Sequence, residues 1–178
     1  MINDYEATRP MTADAIPVNG SVSLNEDAVK TLNGLIQTCK DGEDGFRTAA
    51  EAVKDADLKT LFNTRSGERA QFAGELQGLV RQLGGTAEDD GSVMGDIHRG
   101  WMEIKAAIAS NSDTSILNEC ERGEDSAKKA YHAAMQTSLP QNVLEVVGKQ
   151  YTLIQQAHDQ IKGLRDRANE FANAATQR

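Results

Sequence analysis

Apolar residues recur along most of this chain at alternating steps of three and four, the spacing of the buried face of a helix in a bundle. Four long segments carry the pattern, and the sequence predicts helices over about 23–54, 55–84, 113–138 and 141–173. Short turns join the first helix to the second and the third to the fourth, so each pair is an antiparallel hairpin. A shorter helix over about 93–109 is predicted in the crossover between the hairpins. The predicted fold class is all-α, a four-helix bundle.

Polar residues at the predicted helix starts have the side chains that cap free backbone N–H groups. The predicted capping residues are Ser23 with Glu26 three positions later, Asp55 or Asp57, and Asp113. Gly84 and Gly85 end the second helix, and Pro140 suits the first turn of the fourth. Residues 1–22 lack the periodicity and are predicted to be a flexible arm, followed by the bundle over 23–173 and a tail over 174–178.

The composition indicates which classes of partner are excluded and which cellular compartment is expected. The formal net charge of −8 argues against nucleic acid and against an anionic membrane surface as partners. No segment is apolar enough to span a membrane, and the first residues lack the basic start and apolar run of a secretory signal. Two cysteines without a disulfide-rich pattern fit a reducing environment, so a cytoplasmic location is expected.

The pattern Cys-x-x-Gly-Glu-Asp occurs at residues 39–44 and again at 120–125, once in each predicted hairpin. An internal duplication of the hairpin explains the repeat economically. A glycine inside a helix costs about 1 kcal/mol relative to alanine, so Gly42 and Gly123 are expected to allow close approach of a neighbouring backbone. Cys39 and Cys120 are expected to be small core residues.

One titratable side chain stands on the apolar face of each long helix. The four residues are Glu43, Glu68, Glu124 and His158. Burying an ionised carboxylate without a partner costs several kcal/mol, so metal cations, nearby side chains or protonation must compensate these groups. The side chains available for this role are Arg47, Arg65 and Arg69. Counting helical rise from each turn places Glu43 level with Glu68, and Glu124 level with Gln155.

Each half therefore reads as a glutamate facing a Glu-x-x-His-like pair. Bundles with di-iron or di-manganese carboxylate centres use one Glu from each of two helices and Glu-x-x-His from each of the other two. The candidate metal-binding residues are Glu43, Glu68, Gln71, Glu124, Gln155 and His158. Carboxylates with an imidazole suit one or two Fe or Mn ions, with Zn as an alternative.

A set of short motifs, in order along the chain, resembles a known family. The motifs are Asp41-Gly42-Glu43, Glu68-Arg69, His98-Arg99-x-Trp101, Gly123-Glu124-Asp125 and His158-Asp159. Over about residues 24–168 the chain resembles a bacterial ferritin-like family catalogued as a domain of unknown function, number 2383. The resemblance implies a ferritin-type bundle and no established activity. It also implies ferritin-type metal ligands at Glu43, Glu68, Glu124 and His158.

Two functional hypotheses follow. In the first, the protein binds Fe or Mn and acts in oxidative or metal stress, with Fe(II) oxidation by O₂ or peroxide as its reaction. In the second, the bundle is metal-free and serves as a structural or interaction protein. Gln71 and Gln155 favour the second, because they stand where ferritin-type sites have ligands. By analogy with this class, a homodimer is expected.

Overall fold

A computed structural model describes residues 19–88, 108–109 and 112–176, except for the side chains of 19–24, 172 and 175–176. Its long helices are α1 (Asn19–Ala52), α2 (Ala56–Gln82), α3 (Asp113–Met135) and α4 (Gln141–Thr176). No strand occurs within these described ranges. The predicted all-α four-helix bundle is confirmed. Residues 1–18 of the predicted arm lie outside the described residues, as does the predicted crossover helix with His98 and Trp101, apart from residues 108–109.

The first hairpin confirms two of the three predicted helix ends. The Asp55 carboxylate caps α2 by accepting hydrogen bonds from the backbone N–H groups of Asp57 and Leu58, at 2.8 and 2.9 Å. Gly84 ends α2 with a φ of 78°, a conformation that glycine adopts without strain. The predicted start at Ser23 is wrong, since α1 begins four residues earlier, at Asn19. No proline occupies positions 19–22, so nothing in the backbone stops the helix from extending past the capping-box sequence.

The start of α3 differs from the prediction by one residue. Ser112, not Asp113, is the N-cap. The Asp113 carboxylate instead accepts hydrogen bonds from the backbone N–H groups of Lys54 and Asp55, both at 3.1 Å. This side chain therefore ties the α1–α2 turn to the beginning of the second hairpin. The helix α4 begins at Gln141, directly after Pro140, as predicted.

Two apolar clusters fill the bundle. The first core cluster comprises Leu32, Leu35, Ile36, Cys39, Phe72, Ala73, Leu76, Leu79, Val80, Ala127, Tyr131, Ala134, Val143, Val147 and Ile154. The second core cluster comprises Phe46, Ala49, Ala50, Val53, Phe62, Ile116, Leu117, Cys120 and Ile161. Both cysteines are buried and unbridged, as expected for small core residues.

The order in which each helix meets the two clusters gives its direction. Both α1 and α4 run from the first core cluster to the second, whereas α2 and α3 run the opposite way. The helix α1 packs against α2 and α3, and α4 packs against α3 and, more sparsely, α2. Because α2 ends beside the first cluster and α3 begins beside the second, the end of α2 and the start of α3 lie at opposite ends of the bundle.

None of the described helices has a stretch long and apolar enough to cross a membrane.

Candidate metal centre

A layer of charged and imidazole side chains separates the two core clusters. Its buried members are Arg69, Glu121, Glu124 and His158. On each of α2, α3 and α4, these residues fall between the positions that enter one cluster and those that enter the other. We call this set the polar layer. Of the four titratable residues expected at one depth, Glu124 on α3 and His158 on α4 are buried in this layer, and α2 contributes a buried arginine instead of Glu68.

Arg69 compensates the deepest carboxylate. Its Nη2 donates hydrogen bonds of 2.6 Å to both oxygens of Glu124, and each side chain is only 2% exposed. The guanidinium also lies 5.4 Å from the centroid of the Phe72 ring. Burial raises the pKa of Glu124, and the Arg69 charge opposes that rise. A metal cation, a nearby side chain or protonation could compensate a glutamate on the apolar face of a helix. At Glu124 the compensating group is the side chain of Arg69.

Because Gly42 has no side chain, the side chain of Arg69 can pass close to α1 at this position. A Cβ atom at Gly42 would lie 3.1 Å from Cδ and 3.2 Å from Cγ of Arg69, whereas one at Gly123 would have nothing within 4 Å. The expectation of a close backbone approach at both glycines is therefore wrong. At Gly42 the neighbour is a side chain, and at Gly123 there is no neighbour among the described residues.

A second group of the polar layer combines two carboxylates with an imidazole. One ligand atom from each of Glu121, Asp125 and His158 lies within 4.8 Å of the other two. His158 Nε2 is 3.1 Å from Asp125 Oδ1 and 4.0 Å from Glu121 Oε1. Glu121 and Asp125 are one turn apart on α3, so both reach the same face of α4. This is the donor set from which a divalent cation site is built.

The other atoms of this group are held by neighbouring charges. His158 Nδ1 lies 2.9 Å from Asp159 Oδ1, and the hydrogen bond between them lowers the pKa of Asp159. Arg165 pairs with the second carboxylate oxygen of Glu121. Lys128 Nζ lies 3.2 Å from His158 Nδ1 and 3.7 Å from Asp125 Oδ1. The Asp125 side chain is 49% exposed, which gives a cation an entry route from solvent.

Of the six metal-binding residues predicted from the sequence, the structure places only His158 in this group. Glu68 is half-buried and pairs with Arg65 at 2.6 Å, and Glu124 pairs with Arg69. Gln71 is exposed and donates a hydrogen bond to Glu75. Glu43 and Gln155 are half-buried. As a set of ligands to one centre, the six residues stay a prediction.

The sequence reasoning missed Glu121 and Asp125, although a signal was present. Asp125 is the last residue of the repeated hexapeptide and stands four positions after Glu121. The height count followed one residue on α3, Glu124, and so passed over Glu121, three positions before it, and Asp125, the next residue. Glu124 itself pairs with Arg69 on α2.

A separate polar chain crosses the first core cluster and links all four helices. Cys39 Sγ lies 2.9 Å from the Tyr131 hydroxyl, which donates a 2.7 Å hydrogen bond to Gln150 Oε1. Gln150 Nε2 in turn donates to Glu75 Oε2 at 2.8 Å. Tyr131 is thus a fully buried core aromatic whose hydroxyl is hydrogen-bonded. Burial raises the pKa of the Cys39 thiol to about 11, which leaves it unreactive near neutral pH.

A comparison with curated proteins finds no match to this sequence. The family described as Domain of unknown function (DUF2383) matches residues 27–137, which span most of α1 and all of α2 and α3. The matched region contains Arg69, Glu121, Glu124 and Asp125, whereas His158 on α4 lies beyond it. This match covers more than half of the chain, and the protein belongs to the DUF2383 family.

Proposed function

We propose that the protein binds one divalent metal ion, Fe(II) or Mn(II) in preference to Zn(II), through Glu121, Asp125 and His158. The observation that supports this proposal is the placement of one donor atom from each residue within 4.8 Å of the others. Carboxylate oxygens favour Mn and Fe, and an imidazole nitrogen favours Fe and Zn, so the mixed set suits Fe and Mn. Three protein donors leave coordination positions for water or a small substrate.

The neighbours of the group fit this assignment. A carboxylate that accepts from one ring nitrogen of a histidine orients the other nitrogen toward a metal, and Asp159 is placed to do this at Nδ1 of His158. Arg165 engages Glu121 Oε2, so Oε1 remains on the side of His158. Two carboxylates and a neutral imidazole balance the charge of a divalent ion. A bound Fe(II) would supply electrons to O₂ or peroxide, the reaction expected of a protein of oxidative or metal stress.

Asp125→Asn tests the site, and Asp44→Asn is its matched control. Asp44 holds the equivalent position in the first hexapeptide and pairs with Arg47 on the surface, at 2.5 Å. Binding of Fe(II), Mn(II) and Zn(II) is measured by calorimetry without oxygen, alongside the metal content of protein purified without chelator. Asp125→Asn is expected to weaken metal binding by more than about 100-fold. Replacing a residue that only hydrogen-bonds to a metal ligand already lowers metal affinity by about 10–100-fold. Equal affinities in the two variants would refute the assignment.

A second candidate is a metal-free structural or interaction bundle. The Arg69–Glu124 pair favours it, since this pair compensates the deepest glutamate without a metal. The same titrations separate the candidates. A metal-free bundle shows no binding heat with any of the three ions, and its unfolding temperature is the same with and without added metal.

A further inference from the structure

We infer that Lys128 is an internal competitor for the proposed metal ion, so that the ion must displace its ammonium group to bind. This inference rests on the proposed function. Lys128 stands three positions after Asp125 on α3, and its side chain is 26% exposed. Its Nζ lies 3.2 Å from His158 Nδ1 and 3.7 Å from Asp125 Oδ1. A positive charge therefore already occupies the edge of the donor set.

Lys128 and Asp159 make incompatible demands on the same ring atom. Asp159 Oδ1, 2.9 Å from His158 Nδ1, needs a proton on that nitrogen, whereas the Lys128 ammonium, 3.2 Å away, needs its lone pair. Nδ1 either carries a proton for Asp159 or keeps its lone pair for Lys128, so it satisfies one partner at a time.

The two arrangements differ in their capacity for metal. When Nδ1 accepts from Lys128, the proton is on Nε2, which donates to Asp125 Oδ1 at 3.1 Å and has no lone pair for a cation. When Nδ1–H donates to Asp159 and Nε2 carries no proton, the Nε2 lone pair points toward Glu121 and Asp125. Metal binding therefore requires the second arrangement and the withdrawal of Lys128. Lys128 lowers the affinity of the site, while Asp159 raises it.

The test compares Lys128→Met with Lys129→Met. Methionine has a length similar to that of lysine but carries no charge and donates no hydrogen bond. Lys129 is the adjacent residue on α3 and is exposed, so its variant controls for the change in net charge. Calorimetry with Mn(II) is expected to show about tenfold tighter binding for Lys128→Met, equivalent to about 1.4 kcal/mol, and a much smaller change for Lys129→Met.

A second readout needs no metal. Ring ¹⁵N chemical shifts of His158 report which nitrogen carries the proton, and Lys128→Met is expected to move the imidazole toward the Nδ1–H form. If Mn(II) binds the wild type and Lys128→Met binds it no more tightly than Lys129→Met does, the inference about Lys128 is wrong while the site stands. If no variant binds metal, the proposed function fails, and the inference that Lys128 competes with the ion fails with it.

Discussion

The two copies of the hexapeptide have the same four shared letters and different surroundings. In the copy at 39–44, the glycine is covered by Arg69 and the glutamate is half-buried. In the copy at 120–125, the glycine is exposed and open, and the glutamate is buried against Arg69. The final aspartates differ as well, since Asp44 pairs with Arg47 at the surface and Asp125 faces His158.

The neighbouring helix, more than the motif, decides what each copy does. Opposite the first copy, α2 supplies Arg65 and Arg69, which pair with glutamates in the protein itself. Opposite the second copy, α4 supplies His158, which adds a neutral donor to two carboxylates. The same hexapeptide thus stands in two surroundings: the arginines of the first hairpin pair with glutamates of both hairpins, whereas the second hairpin supplies a set of donor atoms.

Removing Arg69 from its buried pair with Glu124 is expected to have the largest effect on stability. Arg69→Met leaves the carboxylate of Glu124 buried without a partner, which costs about 3–5 kcal/mol of the free energy of unfolding. Replacing both partners, as in Arg69→Met with Glu124→Leu, is expected to recover most of that loss, because neither side chain then carries a charge. Urea unfolding followed by circular dichroism measures both variants.

The outcome for the double variant decides how the pair works. Stability near that of the wild type would show that the pair mainly cancels its own burial cost. A double variant as unstable as Arg69→Met would show that the bundle needs the polar contact between α2 and α3 for its packing. If Arg69→Met is as stable as the wild type, Glu124 does not depend on Arg69 for compensation of its buried charge.

The sequence predicted the fold well because helices and hairpins follow from local signals. The three–four spacing of apolar residues, the Asp55 cap and the Gly84 stop all act within a few residues. The start of α1 was placed four residues late, since a capping sequence marks a favourable start and does not forbid an earlier one.

The site was predicted less well because it depends on the relative height of two helices. Of the four titratable residues that the apolar spacing placed in the core, Glu124 and His158 are buried, whereas Glu43 and Glu68 are only half-buried. The spacing did not identify which charge meets which, since the relative height of α3 and α4 depends on the five residues between them. Long side chains add to the difficulty. Arg69 reaches from α2 past Gly42 to Glu124 on α3, a path that no local spacing encodes.

Alanine substitutions at Gly42 and Gly123 test the difference between the two hexapeptide copies, with a smaller expected effect on stability. Alanine in place of glycine removes a helix penalty of about 1 kcal/mol at either position. At Gly123 the new methyl group meets nothing within 4 Å, so Gly123→Ala is expected to stabilise the protein by about 0.5–1 kcal/mol. At Gly42 it would lie 3.1 Å from Arg69 Cδ, whose head group Glu124 holds in place. Gly42→Ala is therefore expected to be about 1–2 kcal/mol less stable than Gly123→Ala in urea unfolding. Equal gains at both positions would contradict the role assigned to Gly42.

The smallest expected effect is on how steeply the free energy of unfolding changes with pH. Burial raises the pKa of Glu124 above its usual value of 4.5 in the folded protein, against the opposing charge of Arg69. Between the unfolded and folded pKa values, the folded protein holds a proton that the unfolded chain has released. The contribution of Glu124 to stability is therefore fully present below pH 4.5 and is lost as the pH rises through the folded pKa. Glu124→Gln cannot titrate, so its free energy of unfolding should decline less than that of the wild type across this range. Unfolding curves measured from pH 4 to 8 give both slopes, and parallel profiles would show that Arg69 offsets the burial of Glu124 completely.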